Sequence, residues 1–416
     1  MKKIPLTSLI LALAIISGQL IKIPVFGSSG VITLDIAVAA LCLLGSYKLK
    51  FKLKKPPLFT GTASVFILIA ILSLVLTPLN LSFSEYLTSF FYTVRFTMYV
   101  FLGWIIFSGA FPGLRNDIPL MLLFSGLGLA VLGLLQFIFL PDMQFLAKSG
   151  WDPHYYRIVS TFLDPNFAGA YFALTLLLLT SHLGGLKQLT LFQRVNYNQI
   201  RDQRIALNKV NPRNTMTRRV LYVAFAIIYI ALLTTFSRSS YLTLLVGGLT
   251  FSFLKKSKSL VVLTILLFGV LMLGFYIYTV TISQPRNIDR TQSASSRFST
   301  WQQGFTLLQK SPISGIGYNA YRYGLKEYSL GDEQFLNSHG SSSNDSSLLF
   351  VAATTGIVGL IAYLYFLWTL VKFSCKKNLI LISGLVGLII HSFFANSLFY
   401  PPILIWIILI SCHERN

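Results

Sequence analysis

Apolar runs about as long as a bilayer is thick recur along the whole chain, near residues 4–21, 31–45, 58–77, 87–109, 118–140, 166–183, 220–236, 239–254, 260–281, 346–371, 379–394 and 398–411. A helix needs roughly 17 to 25 such residues to cross hydrocarbon. The pattern therefore implies an all-α integral membrane protein of about twelve transmembrane helices, 1–416 forming a single polytopic domain. Only 11% of the residues are charged, against about 25% in soluble domains. Cys42, Cys375 and Cys412 lie in or beside these runs without paired spacing, so no disulfide framework or zinc site is implied.

Charge sets the expected orientation. Lys2 and Lys3 precede the first run, which has the form of a signal sequence without a convincing small-residue cleavage site and is read as a retained span. Lys48, Lys50, Lys52, Lys54 and Lys55 follow the second run and mark a cytoplasmic connection. On this register 184–219 is a cytoplasmic basic loop, both termini are cytoplasmic, and 282–345 is a large external loop between the ninth and tenth helices, on the outer face of the cytoplasmic membrane. The net charge of +21 is then a topological signal: roughly 23 of the 34 Lys and Arg fall inside. No nucleic-acid partner is implied. The bases left outside are mostly arginines, Arg157, Arg238, Arg286, Arg290, Arg297 and Arg322, and the guanidinium fork suits phosphate or carboxylate.

Four outer stretches carry groups fit for chemistry. In Ser237-Arg238-Ser239-Ser240, Ser237 is a helix N-cap that sets Arg238 in a first turn already positive from the macrodipole. A cation there clamps an anion or snorkels to the headgroups. Arg297 likewise opens an amphipathic helix whose Trp301, Phe305 and Leu308 form a stripe expected to pack on the membrane domain, with Pro312 as its stop. Gly315-Ile316-Gly317 reads as a turn. The run from Asn337 to Ser347 offers His339 and Asp345, either of them fit to act as a base; the alternatives are a solvated histidine and an N-cap aspartate. Before the sixth run, Asp164-Pro165-Asn166 is helix-start chemistry and Arg157 is left over. Arg95, inside the fourth run, should face the bundle interior or the outer interface.

These stretches resemble the O-antigen ligase and O-antigen polymerase superfamily over about 150–400. The likeness is carried by Arg157 to Asn166 with Ala168 and Ala170, Thr235 to Arg238, Arg297 with Trp301, Pro312 to Gly317, and Leu348 to Gly359. It implies an inverting, metal-independent membrane glycosyltransferase with no cofactor. Such an enzyme moves a glycan from an undecaprenyl diphosphate carrier to an acceptor hydroxyl on a lipid A core, a second glycan repeat, a protein or a wall polymer. Arg238 and Arg297 match the family arginines thought to bind the diphosphate, with Arg157 beside them. His339 and Asp345 are the candidate catalytic groups, and Arg95, Arg322, Asn166 and Trp301 the candidate substrate contacts. One departure stands out. Ligases of the family carry a His-Asn pair about eleven residues before the glycine that here is Gly356, and this chain has Asp345-Ser346 there. No DxD-like acidic pair occurs, in keeping with metal-free chemistry. The alternative is a polysaccharide or lipid-linked glycan transporter, which would place ionisable groups near the midplane in paired repeats.

Overall fold

In the computed structural model, residues 5–25, 30–192, 212–283, 292–374 and 378–413 are described. Each of the twelve apolar runs contains a helix: α1 (Leu6–Ser17), α2 (Thr33–Lys48), α3 (Leu58–Val75), α4 (Phe83–Ser108), α5 (Pro112–Phe139), α6 (Pro165–Phe192), α7 (Pro212–Thr235), α8 (Arg238–Leu254), α9 (Lys258–Tyr278), and, beyond the polar stretch, α13 (Ser347–Ser374), α14 (Leu379–His391) and α15 (Pro401–Cys412). The polar stretch adds α10 (Gln292–Lys310), α11 (Tyr321–Glu327) and α12 (Glu333–Asn337). A short antiparallel pair, β1 (Lys22–Pro24) and β2 (Gly30–Ile32), joins α1 to α2. Among the described residues, six helices are long and apolar enough to cross a membrane: those at Leu58–Val75, Phe83–Ser108, Pro112–Phe139, Pro165–Leu183, Lys258–Ile282 and Gly340–Lys372. The chain is a multi-pass, all-α membrane protein. The middle of the basic connection, 193–211, and Arg286 and Arg290 lie outside the described residues.

Local chemistry explains the helix ends. Ser82 and Glu85 form a reciprocal capping box at α4. Asp164 Oδ1 accepts from the N–H of Asn166 (2.6 Å) and Phe167 (3.2 Å) at the start of α6. Two exteriors contrast. α9 leaves Leu263, Ile265, Leu266 and Leu273 about half exposed, an apolar surface that only a hydrocarbon solvent would cover. α15 is buried at every residue from Pro401 to Cys412 and forms the centre of the bundle.

That central helix is short. Twelve residues at about 1.5 Å each reach ~18 Å, well under the ~30 Å of hydrocarbon. The thirteen-residue α14 stops equally early. The connection between them, Ser392–Tyr400, thus turns inside the bundle, and Ala395, Asn396, Phe399 and Tyr400 form part of the wall of a cavity that opens above α15.

α13 is broken at Gly356 (φ 68°, ψ −174°). The break takes Ala353 O and Thr354 O out of the helical ladder, and they accept instead from the N–H of Ile316 (3.0 Å) and Gly317 (3.0 Å), while Ile357 N donates to Pro312 O (2.9 Å). Buried backbone groups must find partners. The Gly315-Ile316-Gly317 turn expected from sequence is therefore a brace that fixes the end of α10 to α13.

The stripe expected to hold α10 on the membrane domain is split: Trp301 meets Phe394 at 6.4 Å between ring centroids and donates to Phe393 O, whereas Phe305 is 56% exposed, and Phe298, outside the stripe, is 70% exposed. Leu307 is buried and Gly304 faces Asn344 and Leu349. The physical reason is size: a helix face of Gly304 and Thr300 approaches α13 more closely than a face of rings could. Phe298 and Phe305 are left for the membrane interface, where aromatic side chains are favoured.

Candidate functional site

The site begins where the α7–α8 hairpin turns. Thr235 ends α7, Phe236 takes a left-handed conformation (φ 48°), and Ser237 precedes Arg238, the first residue of α8. Phe236 is held in that strained state by stacking on Tyr278 at 4.0 Å. Tyr278 Oη in turn donates to Tyr155 O at 2.9 Å. Ser237 stands at the N-cap position as expected, but its hydroxyl does not cap the helix. It donates to Asn166 Oδ1 at 2.8 Å, and Ser240 Oγ donates to Asn166 O at 3.0 Å. Asn166 therefore clamps the start of α8 to the start of α6.

Arg157 reinforces the same turn. Its Nε donates to Thr235 O at 2.9 Å and its Nη2 reaches Phe236 O at 3.5 Å. It also borders the cavity, beside Asp152 and Asp164. Burial raises the Asp152 carboxyl above its usual range, against the pull of Arg157. Asp164 is pushed up to about 6 by burial and then by Asp152, against its two N–H donors.

Arg297 arrives from the first half of α10, and its guanidinium lies over the ring of Phe394 at 5.8 Å. One turn on, Thr300 Oγ1 donates to Asp345 Oδ2 at 2.9 Å, and Arg297 is the cation that bears on this carboxylate. Asp345 is not the cap of α13: the Ser346 hydroxyl accepts from Leu349 N. Asn344, fully buried, holds the run in register by donating to Tyr321 Oη and Thr300 O and by accepting from Ser346 N.

His339 sits against Trp151, ring centroids 4.5 Å apart; its backbone N–H donates to Gly150 O, and its ring hydrogen-bonds the Ser149 backbone. Burial, then Lys22 and Arg322, lower its imidazole to about 4, so the ring is neutral at pH 7. Arg322 is not in the cavity wall. It donates from Nε to Ser341 Oγ (2.8 Å) and from Nη2 to Ser338 O (2.6 Å), gripping the run that carries His339. Arg95 faces inward, as its cost in lipid requires, with Nη2 on Asp35 Oδ2 (2.8 Å) and Gly30 O (2.7 Å).

One cavity of about 390 Å³ collects these groups: Arg95, Arg157, Asn166, Arg238, Arg297, His339 and Asp345 all border it. They come from five separate regions of the chain. Against its wall lies a second, mostly apolar groove formed by Leu242, Phe298, Trp301 and Phe394, with Arg238 and Arg297 at its edge. Trp301 is fixed there by donating from Nε1 to Phe393 O at 3.1 Å. Sequence reasoning missed Lys22, Asp35, Asp152 and His391. Lys22 and Asp35 lie far in sequence from the groups they face, whereas Asp152 bears on Arg157 and Asp164 within its own stretch. His391 closes the last turn of an apolar helix, fully buried, with Nε2 3.3 Å from Ser239 Oγ, and nothing in its flanking residues sets it apart from a core histidine.

A comparison with curated proteins gave no match. Residues 223–364, which span Arg238, Arg297, His339 and Asp345, match the family model described as O-antigen ligase. The family implies glycosyltransferase-type chemistry on a lipid-linked glycan. The likeness seen in the residues is thus supported over 223–364, about a third of the chain, where the sequence is similar to the O-antigen ligase family.

Proposed function

We propose that the protein transfers a glycan from an undecaprenyl diphosphate carrier to an acceptor hydroxyl, at a site open to the outer face of the cytoplasmic membrane. One observation carries this reading: Arg238, first residue of α8, and Arg297, which lies in the second turn of α10 and not at its start as expected from sequence, border one cavity with Asp345 and also edge an apolar groove. A polyprenyl diphosphate has a matching shape, a strong anion joined to a hydrocarbon chain. Its diphosphate would lie between the two guanidiniums and its first prenyl units along Leu242, Phe298, Trp301 and Phe394.

The step is a single displacement. The acceptor oxygen forms a bond to the anomeric carbon from the face opposite the leaving group, the bond from that carbon to the phosphate oxygen breaks, and the diphosphate leaves with the electron pair. Fixed guanidiniums stabilise the charge that develops on it, the task a divalent metal has in other transferases. The hydroxyl proton passes to Asp345. Two observations favour Asp345 over His339 as the base: Asp345 neighbours Arg297, and it occupies the position of the family histidine before Gly356. The charged neighbours of His339 are Lys22 and Arg322 instead. Arg157 and Asn166 act mainly by holding the turn that presents Arg238.

The test is to supply purified protein with undecaprenyl diphosphate oligosaccharide and a set of hydroxyl acceptors, and to follow the glycan and the lipid separately. Glycosylated acceptor together with free undecaprenyl diphosphate is the expected outcome. Accelerated movement of intact lipid across vesicles, with no glycan leaving the carrier for any acceptor, would instead establish the transporter reading.

A further inference from the structure

The cavity wall holds an amide that the transfer step does not use. Asn396 lies on the connection Ser392–Tyr400, which turns inside the bundle between α14 and α15, and it borders the cavity. Ser397 N donates to Ala395 O at 2.7 Å, and Asn396 between them has φ −74° and ψ 57°, an inverse γ-turn with Asn396 at its apex. Its side-chain oxygen Oδ1 is buried and meets no hydrogen-bond partner among the described residues. Leaving a buried amide oxygen unpaired costs stability, and native folds seldom keep such an atom without a use for it.

Two ties set this amide between the groups that the transfer step needs. On one side the same connection carries Phe394, over whose ring the Arg297 guanidinium lies at 5.8 Å. On the other it is fastened to Ser347, two residues beyond Asp345. Ser347 N donates to Ser392 O (2.8 Å), and Ser347 Oγ accepts from Leu398 N (3.3 Å) and donates to Ala395 O (3.5 Å). Asn396 is therefore held between the clamp for the leaving diphosphate and the base for the incoming hydroxyl. In a single displacement one part of the substrate lies between those two, the sugar whose anomeric carbon is attacked. An unpaired Oδ1 needs a donor. The substituent next to the anomeric carbon is the one at C2, and an acetamido group there presents an N–H that can only donate, followed by a methyl that needs apolar wall. That wall is at hand: Phe399, at the end of the short helical turn Ser397–Phe399, meets Phe350 at 5.7 Å between ring centroids, and both rings border the cavity.

We propose that Asn396 is a specificity-determining contact that reads the C2 substituent of the transferred sugar, the one joined to the diphosphate, and selects a 2-acetamido group there. This rests on the transferase reading above. Oδ1 accepts from the acetamido N–H, Nδ2 donates to the oxygen of the neighbouring C3 hydroxyl, and the methyl lies against Phe350 and Phe399. A C2 hydroxyl can still donate to Oδ1, but it leaves the place of the methyl unfilled.

The experiment uses the full-length protein, one acceptor and two undecaprenyl diphosphate oligosaccharides that differ only at C2 of the carrier-linked sugar, acetamido in one and hydroxyl in the other. A second arm keeps the donor fixed and varies the acceptor between acetamido and hydroxyl forms. The wild type should prefer the acetamido donor by ~10-fold or more in kcat/KM, a scale on which a shaped, hydrogen-bonding pocket tells two such groups apart. In Asn396→Leu, close in size but unable to hydrogen-bond, the preference should fall toward unity while the melting midpoint stays at or above that of the wild type, because an unpaired buried oxygen has been removed. Equal use of the two donors by the wild type, or a preference unchanged in Asn396→Leu, overturns the proposal. So does a midpoint well below that of the wild type in both Asn396→Leu and Asn396→Ala, which would make the amide a structural group. A preference that follows the acceptor instead of the donor overturns the assignment to the transferred sugar. Failure of glycan to leave the carrier for any acceptor would count against the transferase reading itself, a separate outcome from transfer without preference at C2.

Discussion

Replacing Gly356 by alanine should uncouple helix α10 from the membrane bundle. At φ 68°, ψ −174° the backbone occupies a region open almost solely to glycine, and an L-residue held there costs ~1–3 kcal/mol. The new Cβ would fall 2.7 Å from Ser314 N and closer still to the Ile313 carbonyl. These are backbone atoms of the brace, so the turn itself must move. Its movement breaks three hydrogen bonds, Ile316 N to Ala353 O, Gly317 N to Thr354 O and Ile357 N to Pro312 O, each worth ~1 kcal/mol. The loss totals ~4–6 kcal/mol, comparable with the whole stability of many domains, ~5–15 kcal/mol. Gly269 in α9 is the control, since a Cβ there meets nothing within 4 Å and alanine in a helix interior gains ~0.5–1 kcal/mol. Thermal unfolding of both variants in one detergent, followed by helicity and by transfer rate, is the assay. Gly356→Ala should unfold far earlier and lose transfer, because Arg297 and the Asp345 contact at Thr300 are on the helix it releases. A midpoint equal to that of Gly269→Ala would refute the account of the brace.

Four further outcomes follow from the geometry. Asp345→Asn should lower kcat by ~10²-fold or more, in the range of a positioned base, and by more than His339→Ala does; rate measurements in which both leave kcat intact would show that no side chain in this run takes the proton. Asp35→Asn should cost ~3–5 kcal/mol, the loss expected when one partner of a buried pair is removed, with part recovered in Asp35→Asn/Arg95→Met, as unfolding midpoints would record. The His339 ring, at about 4 when folded and near 6.5 when unfolded, binds a proton more readily in the unfolded chain; as pH falls from 6.5 to 4 the wild type should lose stability relative to His339→Ala, read from melting at stepped pH. Asp164 has the opposite sign. Its carboxyl is held at about 6 in the fold against ~3.9 unfolded, so its contribution is present below 3.9 and fades as pH rises through 6, a trend that Asp164→Asn should remove.

Much of this architecture was readable from the chain. Hydrocarbon-length runs depend only on local composition, and each of the twelve folds into a helix. The start of α8 at Arg238 was also legible, since Ser237 takes the N-cap position although its hydroxyl bonds Asn166 instead, whereas α10 begins at Gln292, a turn before the start expected at Arg297. What escaped was long-range. Arg95 finds Asp35 across 60 positions of chain, and no spacing rule predicts that pairing. The brace at Gly356 needs the turn at Gly315–Gly317, which on its own is an ordinary glycine turn. The α10 stripe was legible only in part: Trp301 packs on Phe394 while Phe305 is exposed, because period 3.6 marks an apolar face without saying which medium covers each residue of it. Arg322, expected as a substrate contact, instead grips Ser338 and Ser341, and Lys22 comes near His339 only through the hairpin.

The central claim is that two guanidiniums, Arg238 and Arg297, hold the diphosphate of a lipid-linked glycan as it departs. The most direct measurement is the transfer rate from undecaprenyl diphosphate oligosaccharide by wild type, Arg238→Ala and Arg297→Ala, each variant first shown to melt like the wild type. The account predicts a loss of ~10²–10³-fold or more in each, the scale of removing one fixed donor from a developing anion. Full activity in either folded variant would contradict it and remove that arginine from the site.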